Sequence, residues 1–318
     1  MNTVLAIGFH DQEAPRHWNI CKKLRSEGKE VIECHTKKKG FFAKIKDLKR
    51  QYRMHEAKAD IVMVPFPGHY LMPIIRLWTR KPIIFDAFIS LHDTNVYDRK
   101  KVSPWSPRAW WLYCIDWLAC HLANEVLIDT EAQRQYFISH FHLNPKKITV
   151  VYVGTRDDLF NTRNTPHSKQ NKVFQVLFYG TYIPLQGIKH IIDAAEILQK
   201  QNNIQFTLVG SGQTFPEIKA IANRKQLRNI NFQSRVPYTL LPELIAKADL
   251  CLGIFGTTNK AMRVIPHKVY DAVACGTPVL TADTPAIAEK FADDPLVHLC
   301  KTGSGEAIAK AITTLSSI

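Results

Sequence analysis

Short apolar runs alternate with helical patterns along almost the whole chain, in two series parted by one polar stretch. In the first series, strands are expected at 4–9, 30–34, 60–65, 82–87, 125–129 and 148–153. Helical patterns at 16–27, 44–56, 70–79, 107–123 and 131–141 lie between them. In the second, strands near 174–179, 205–209, 230–233, 249–254, 278–281 and 296–300 alternate with helices at 187–201, 214–226, 239–247, 266–275, 284–291 and 304–316. A parallel strand is reached only through a crossover, and a helix that supplies the crossover also covers a face of the sheet. Each series therefore predicts a doubly wound α/β domain. The polar stretch 161–172 has almost nothing to bury, so 166–172 is read as a linker between domains 1–165 and 173–318. The length, 318 residues, independently favours two domains. Ligands of such sheets sit at the carboxyl ends of the strands, which points to a cleft between two facing domains.

Composition excludes several classes. No apolar run approaches the roughly 18–20 residues that span a bilayer, and the most tempting window, 109–128, is broken by Asp116, His121, Asn124 and Glu125. The first strand begins at Thr3 with no basic-then-apolar leader before it. Seven cysteines without a C-x-x-C pair favour reduced thiols and a cytoplasmic setting. The net charge of +14 is concentrated: between Lys22 and Arg53 stand twelve basic and four acidic residues. Within 37–53, Phe41, Phe42, Ile45 and Leu48 fall at helical spacing among lysines, a pattern that suits a helix on an anionic membrane surface. A solvated basic face whose apolar stripe packs on its own sheet fits the same residues. Nucleic acid is disfavoured, because no nucleic-acid-binding module accompanies the charge.

The chemistry concentrates in 263–279. Pro266 suits a helix start, and Gly276 suits the left-handed residue that ends it. Free N–H groups at that start, flanked by Arg263 and Lys268, would seat a diphosphate. Positive charge at a helix N-terminus opposes the macrodipole, which favours an anionic ligand as its reason for being there. Asp271, more than one turn in, could accept hydrogen bonds from sugar hydroxyls. A strand, a turn, a cationic helix start and then an acid suggest a nucleotide-sugar site.

The same residues resemble the donor-binding signature of glycosyltransferase family 4, a retaining group with the two-Rossmann GT-B architecture. That signature often reads Glu, seven residues, Glu, then Ala-Met-Ala-x-Gly-x-Pro-Val. Here Asp271 takes the second acid and Ala272 to Val279 follow in register, while Arg263 replaces the first. The stretch from Gly180 to Gly187 resembles the family's glycine-bracketed phosphate loop, with Thr181 and Gln186 where Arg and Lys commonly stand. Arg263 and Lys268 are inferred to supply the missing phosphate charge. Gly210 after the 205–209 strand, and Arg235 and Val236 at a base-contacting turn, complete the resemblance, which covers 173–310 well and the first half more loosely.

It implies a retaining transferase that moves a sugar from a nucleoside diphosphate, UDP favoured and GDP-mannose the alternative, to a glycan or lipid-linked acceptor in surface-polysaccharide synthesis. Such an enzyme would lie in the cytoplasm or on the inner face of the membrane. Family members usually finish with helices crossing back onto the first domain, and little chain remains here for them. A similar run in a related branch places Asp86, His92, Asp93 and Arg99 on the acceptor side, and His10 ends the first strand towards the same expected cleft. Arg263, Lys268, Asp86 and Asp93 are the candidate catalytic residues. Runs rich in Asp, Asn and Thr are also ordinary loop and cap material.

No Asp-x-Asp motif and no strong histidine pattern appear, His140 and His142 having no third partner nearby in sequence, so no metal or other cofactor is expected. Two other classes remain open. One is an inactive GT-B module that binds a nucleotide or partner. The other is a basic protein of the membrane surface.

Overall fold

The computed structural model describes residues 2–160 and 173–317, so the expected linker 166–172 lies outside the described residues. The chain divides into two units, Met1–Gly154 and Thr155–Ile318.

In the first unit, strands β1 (Thr3–Gly8), β2 (Glu30–His35), β3 (Ile61–Val64), β4 (Ile83–Phe88), β5 (Glu125–Ile128) and β6 (Ile148–Val150) form one parallel sheet in the order β2-β1-β3-β4-β5-β6. Helices α1 (Pro15–Ser26), α2 (Phe41–His55), α3 (Met72–Trp78), α4 (Pro107–Leu122) and α5 (Glu131–Phe141) make the crossovers. Leu5, Val62, Phe85, Val126, Phe137 and Phe141 lie in its main core, all fully buried. The order reverses between β1 and β3, so connections leave in opposite directions from the carboxyl ends of those strands, where a crevice forms.

In the second unit, β7 (Phe174–Thr181), β8 (Ile204–Ser211), β9 (Ile230–Gln233), β10 (Leu250–Leu252), β11 (Val279–Ala282) and β12 (Val297–Cys300) run parallel in the order β12-β11-β10-β7-β8-β9. Helices α6 (Ile188–Leu198), α7 (Phe215–Arg224), α8 (Leu241–Ala246), α9 (His267–Cys275), α10 (Pro285–Phe291) and α11 (Gly305–Ser316) complete it. This is the doubly wound order 3-2-1-4-5-6, with its reversal between β7 and β10.

The structure corrects the expected start of α9 and decides two readings that the sequence left open. Pro266 is the N-cap of α9, not its first helical residue, and Gly276 takes the left-handed C-cap. Ile45 and Leu48 do not belong to an exposed stripe on α2, because both pack on the sheet of the first unit and Leu48 is fully buried. Phe41 and Phe42 stay exposed at the start of that helix. The polar run after β4 is no simple loop: Asp93–Asp98 winds as a π-helix.

Candidate functional site

The reversal point of the second sheet is built from two connections in backbone contact. β7 runs through Gly180 and Thr181 into a short 3-10 turn, Pro184–Gln186, and Gly187 then starts α6 in the left-handed conformation (φ 64°). A Cβ on Gly187 would collide with the backbone of Phe255 and Gly256, which follow β10. The Phe255 amide donates to the Gln186 carbonyl at 3.0 Å. Only glycine satisfies both the positive φ and the contact. Gly210 faces Gly180 across the β7–β8 ladder, where a side chain would overlap the Gly180 carbonyl. That close approach between strands is enough to require glycine at 210.

Into this turn reaches Lys268, the second residue of α9, with only 4% of its surface exposed. Its ammonium donates to Gln186 Oε1, lies 4.1 Å from the Phe178 ring centroid and sits 3.2 Å from where a Cβ on Gly180 would be. Burial pulls its pKa down to about 7, against the opposing influence of Cys251 and Asp271. A lysine half-discharged at neutral pH gains most from an anion placed beside it.

Asp271, three residues further on, is 1% exposed. It accepts hydrogen bonds from Thr155 Oγ1 at 2.5 Å and from the Tyr179 hydroxyl at 3.5 Å. Burial raises its pKa to about 7, against those hydrogen bonds and the Lys268 charge. Hydroxyl recognition, the role expected of Asp271 towards a sugar, is exercised here on the protein's own Thr155 and Tyr179.

Gly180, Gln186, Gly187, Lys268 and Asp271 are thus brought together around β7 and α9. Thr181 is exposed at the end of β7. Arg263 is half-buried and ends the 3-10 turn Ala261–Arg263 on the connection between β10 and α9. Arg235 (exposed) and Val236 (half-buried) follow β9, two strands along the sheet from β7.

In the first unit the candidates lie on β4 and just after β1 and β4. Asp86 is buried and takes two hydrogen bonds from Arg16 on α1, at 2.8 and 2.7 Å, while a third Arg16 nitrogen donates to the Val151 carbonyl at 2.6 Å. Asp86 therefore ties α1 to β4, and the same guanidinium lies 4.9 Å from the Phe88 ring centroid. Phe88 itself holds a positive φ of 56° beside a break in the β4–β5 register. Such backbone strain in a non-glycine residue is characteristic of functional segments.

His92 and Asp93 are both buried at the start of the π-helix, and Arg99 caps its end, its amide donating to the Thr94 carbonyl at 2.9 Å. The His92 ring stacks on His140 at 5.6 Å, and burial depresses its pKa. His10 is buried just past β1, with its ring 4.2 Å from that of His17.

Residues 161–317 match the family model described as glycosyl transferases group 1. These residues form a group 1 glycosyltransferase domain. Over 153 residues the chain is 29% identical to the putative colanic acid biosynthesis glycosyl transferase WcaI of Escherichia coli K12. That match covers 48% of this chain and 34% of WcaI, so the chain spans about a third of the relative's length.

Over the full chain, the fold is that of GT-B glycosyltransferases. Sucrose-phosphate synthase from Thermosynechococcus elongatus superposes with a TM-score of 0.71 at 13% identity, covering 100% of this chain and 90% of that one. Anabaena HepE in complex with UDP and glucose superposes with a TM-score of 0.67 at 16% identity, covering 99% and 89%.

Sequence reasoning missed three things. Tyr179 bridges the group 1 domain's two key residues, its hydroxyl lying 3.3 Å from the Lys268 carbonyl as well as near Asp271; within an apolar run it read only as strand filler. Asp116, noted only as an interruption on α4, is fully buried and organises the turn after β4. It accepts from the Ser90 hydroxyl at 2.6 Å and the His92 amide at 2.9 Å, and burial raises its pKa to about 7. Lastly, His10, His17 and Glu33 bring three potential metal-ligand atoms within 4.8 Å of one another, although no metal group was expected. They come from three separate elements, so no local spacing could announce them.

Proposed function

We propose that the chain is a retaining glycosyltransferase that moves a sugar from a nucleoside diphosphate to a hydroxyl of a surface glycan or a lipid-linked precursor. The observation that carries this reading is Lys268 buried beneath Gly180 at the strand-order reversal of a group 1 domain. In this reading the diphosphate lies against the Gly180 turn. Lys268 and the positive end of the α9 dipole stabilise the charge that grows as the bond to the sugar breaks. Arg263, on the connection leading into α9, adds a second cation. Asp271 and Tyr179 position Lys268 from behind.

The acceptor oxygen forms the new bond at the anomeric carbon as the bond to the diphosphate oxygen breaks. Its proton passes to the departing phosphate, and the new bond forms on the face the diphosphate leaves. UDP is the favoured nucleotide, supported by HepE, whose structure holds UDP and glucose. Polysaccharide synthesis is supported by the resemblance to WcaI.

His92, Asp93 and Arg99 are assigned to the acceptor. Asp86 acts through Arg16 as a positioning residue. The donor chemistry needs no metal at Lys268.

A membrane-surface location is part of this reading and is supported by the first unit's exterior, although no helix among the described residues is long and apolar enough to cross a membrane. Phe42 is 87% exposed and Trp105 95% exposed, and Trp110, Trp111 and Trp117 project from α4. Phe41, Lys44, Tyr70 and Trp111 share the lining of a cavity of about 800 Å³. Interfacial tryptophans beside lysines are how a peripheral protein enters the headgroup layer.

The activity is tested by incubating the chain with UDP- and GDP-sugars and a mixed glycan and polyprenyl-linked acceptor panel, following nucleotide release and the anomeric configuration by NMR. A product with the donor's configuration supports the reading. Inversion, or no turnover with any donor, would overturn it.

A further inference from the structure

The first unit holds a cluster that the transfer reaction does not use. His10 follows β1, His17 is the third residue of α1, and Glu33 lies on β2 opposite Ala6. The His10 side chain is fully buried, and neither of its ring nitrogens has a hydrogen-bond partner. Its Nε2 points at Glu33 Oε2 from 3.7 Å, and His17 Nε2 lies 2.8 Å from the same oxygen. Arg25 holds the other carboxylate oxygen at 3.1 Å, and Gln12 donates to Oε2 at 3.2 Å, so the carboxylate is oriented towards the two rings. A buried imidazole with both nitrogens orphaned is costly, and native structures rarely leave one without a reason.

We propose that His10 Nε2, His17 Nε2 and Glu33 Oε2 bind one divalent transition-metal ion of borderline softness, Zn²⁺ or Co²⁺. Two ligand atoms on a tetrahedral zinc, each about 2.0–2.1 Å from it, stand about 3.3 Å apart. The two contacts to Glu33 bracket that separation. Two imidazoles and one carboxylate are a known zinc donor set that leaves a fourth position for water, and Glu33, whose side chain is 18% exposed, lies on the side solvent can reach. Cys21 Sγ lies 3.4 Å from His17 Nε2, yet Cys21 falls outside the cluster of three and is assigned no bond to the ion. The ion would tie β1, α1 and β2 together where the sheet order reverses, fixing the segment that carries Gln12 and Arg16. It lies in the first unit, whereas the diphosphate chemistry is assigned to Lys268 of the second.

The test is titration of the chelator-stripped full chain with Zn²⁺ against a chromophoric competitor, with Co²⁺ absorption in parallel. The expected result is one tight equivalent in the parent and in Cys21→Ser, and tetrahedral cobalt bands lacking thiolate charge transfer. His10→Ala and Glu33→Gln should each weaken that equivalent by about 100-fold or more, the upper end of what even outer-shell partners achieve. His298→Gln should not weaken it. Should His10→Ala fail to fold, the cobalt spectrum of the parent and a Zn²⁺-dependent rise in its melting temperature still decide. No equivalent beyond that bound by the His10→Ala/Glu33→Gln double variant, or a spectrum of hexaaqua Co²⁺ only, would overturn the site and leave a plain His17–Glu33 ion pair.

Discussion

Lys268 makes nucleotide binding pH-dependent in a calculable way. Its ammonium has a pKa of about 7 without ligand because burial disfavours the charge. A diphosphate beside it would restore the pKa towards the usual lysine value of about 10.4. Above pH 7 the free protein then carries fewer protons than the complex, so binding takes up a proton and affinity falls as pH rises. The free fraction in the charged form drops from about one half at pH 7 to about 3% at pH 8.5, a roughly 16-fold loss in affinity, or about 1.6 kcal/mol.

Asp271, also titrating near 7, works in the opposite sense: as it ionises it favours the ammonium and shallows the slope. Calorimetry of UDP binding in two buffers of different ionisation enthalpy reads both the affinity and the proton uptake, which should approach one per nucleotide at pH 8.5. Lys268→Met keeps the length of the side chain and removes the charge. It should lose about 10- to 100-fold in affinity at pH 7, the worth of a charge-assisted hydrogen bond, and show a flat profile from pH 7 to 9. An unchanged slope in Lys268→Met would refute the reasoning.

Further predictions rest on the scaffold. Gly187→Ala forces a Cβ into the Phe255–Gly256 backbone at a positive φ, and should cost about 2–4 kcal/mol in chemical denaturation. Arg16→Met strands a buried carboxylate and should cost about 3–5 kcal/mol, with much of that recovered in Arg16→Met/Asp86→Leu, read as a double-mutant cycle. Asp116 keeps its proton in the native state up to about pH 7, whereas the unfolded chain releases it near 3.9. Its contribution to stability is therefore full below that lower value and lost as pH rises to about 7. Asp116→Asn should flatten the pH dependence of the denaturation midpoint across that window.

The fold was legible because alternation of apolar runs and helical patterns is a property of the chain itself. Glu131–Phe141 and Ile230–Gln233 fall on the residues expected from sequence, and the other elements differ mainly at their ends, where caps decide the boundary. The candidate site was legible where a backbone need forces the residue, as at Gly187 and Gly276, and where a cation stands at a helix start. Sequence did not disclose that Lys268 would point into the protein and meet Gln186 and Phe178, because that depends on β7 lying beside α9. For the same reason the Arg16–Asp86 pair, seventy residues apart in sequence, and the His10–His17–Glu33 cluster were invisible. The basic helix α2 shows the reverse failure: periodicity found its apolar stripe but could not tell sheet from membrane, and Ile45 and Leu48 went to the sheet.

The central claim is that the Gly180–Lys268 turn holds a nucleoside diphosphate. The most direct measurement is the melting temperature of the chain with UDP, GDP, ADP and CMP, alongside Lys268→Ala. At about 100 times its dissociation constant, the cognate nucleotide should add about 2.7 kcal/mol. The account predicts a shift with one base, UDP first, that falls to about 0.4–1.4 kcal/mol or less in Lys268→Ala. A shift undiminished in Lys268→Ala, or none with any nucleotide, would contradict it.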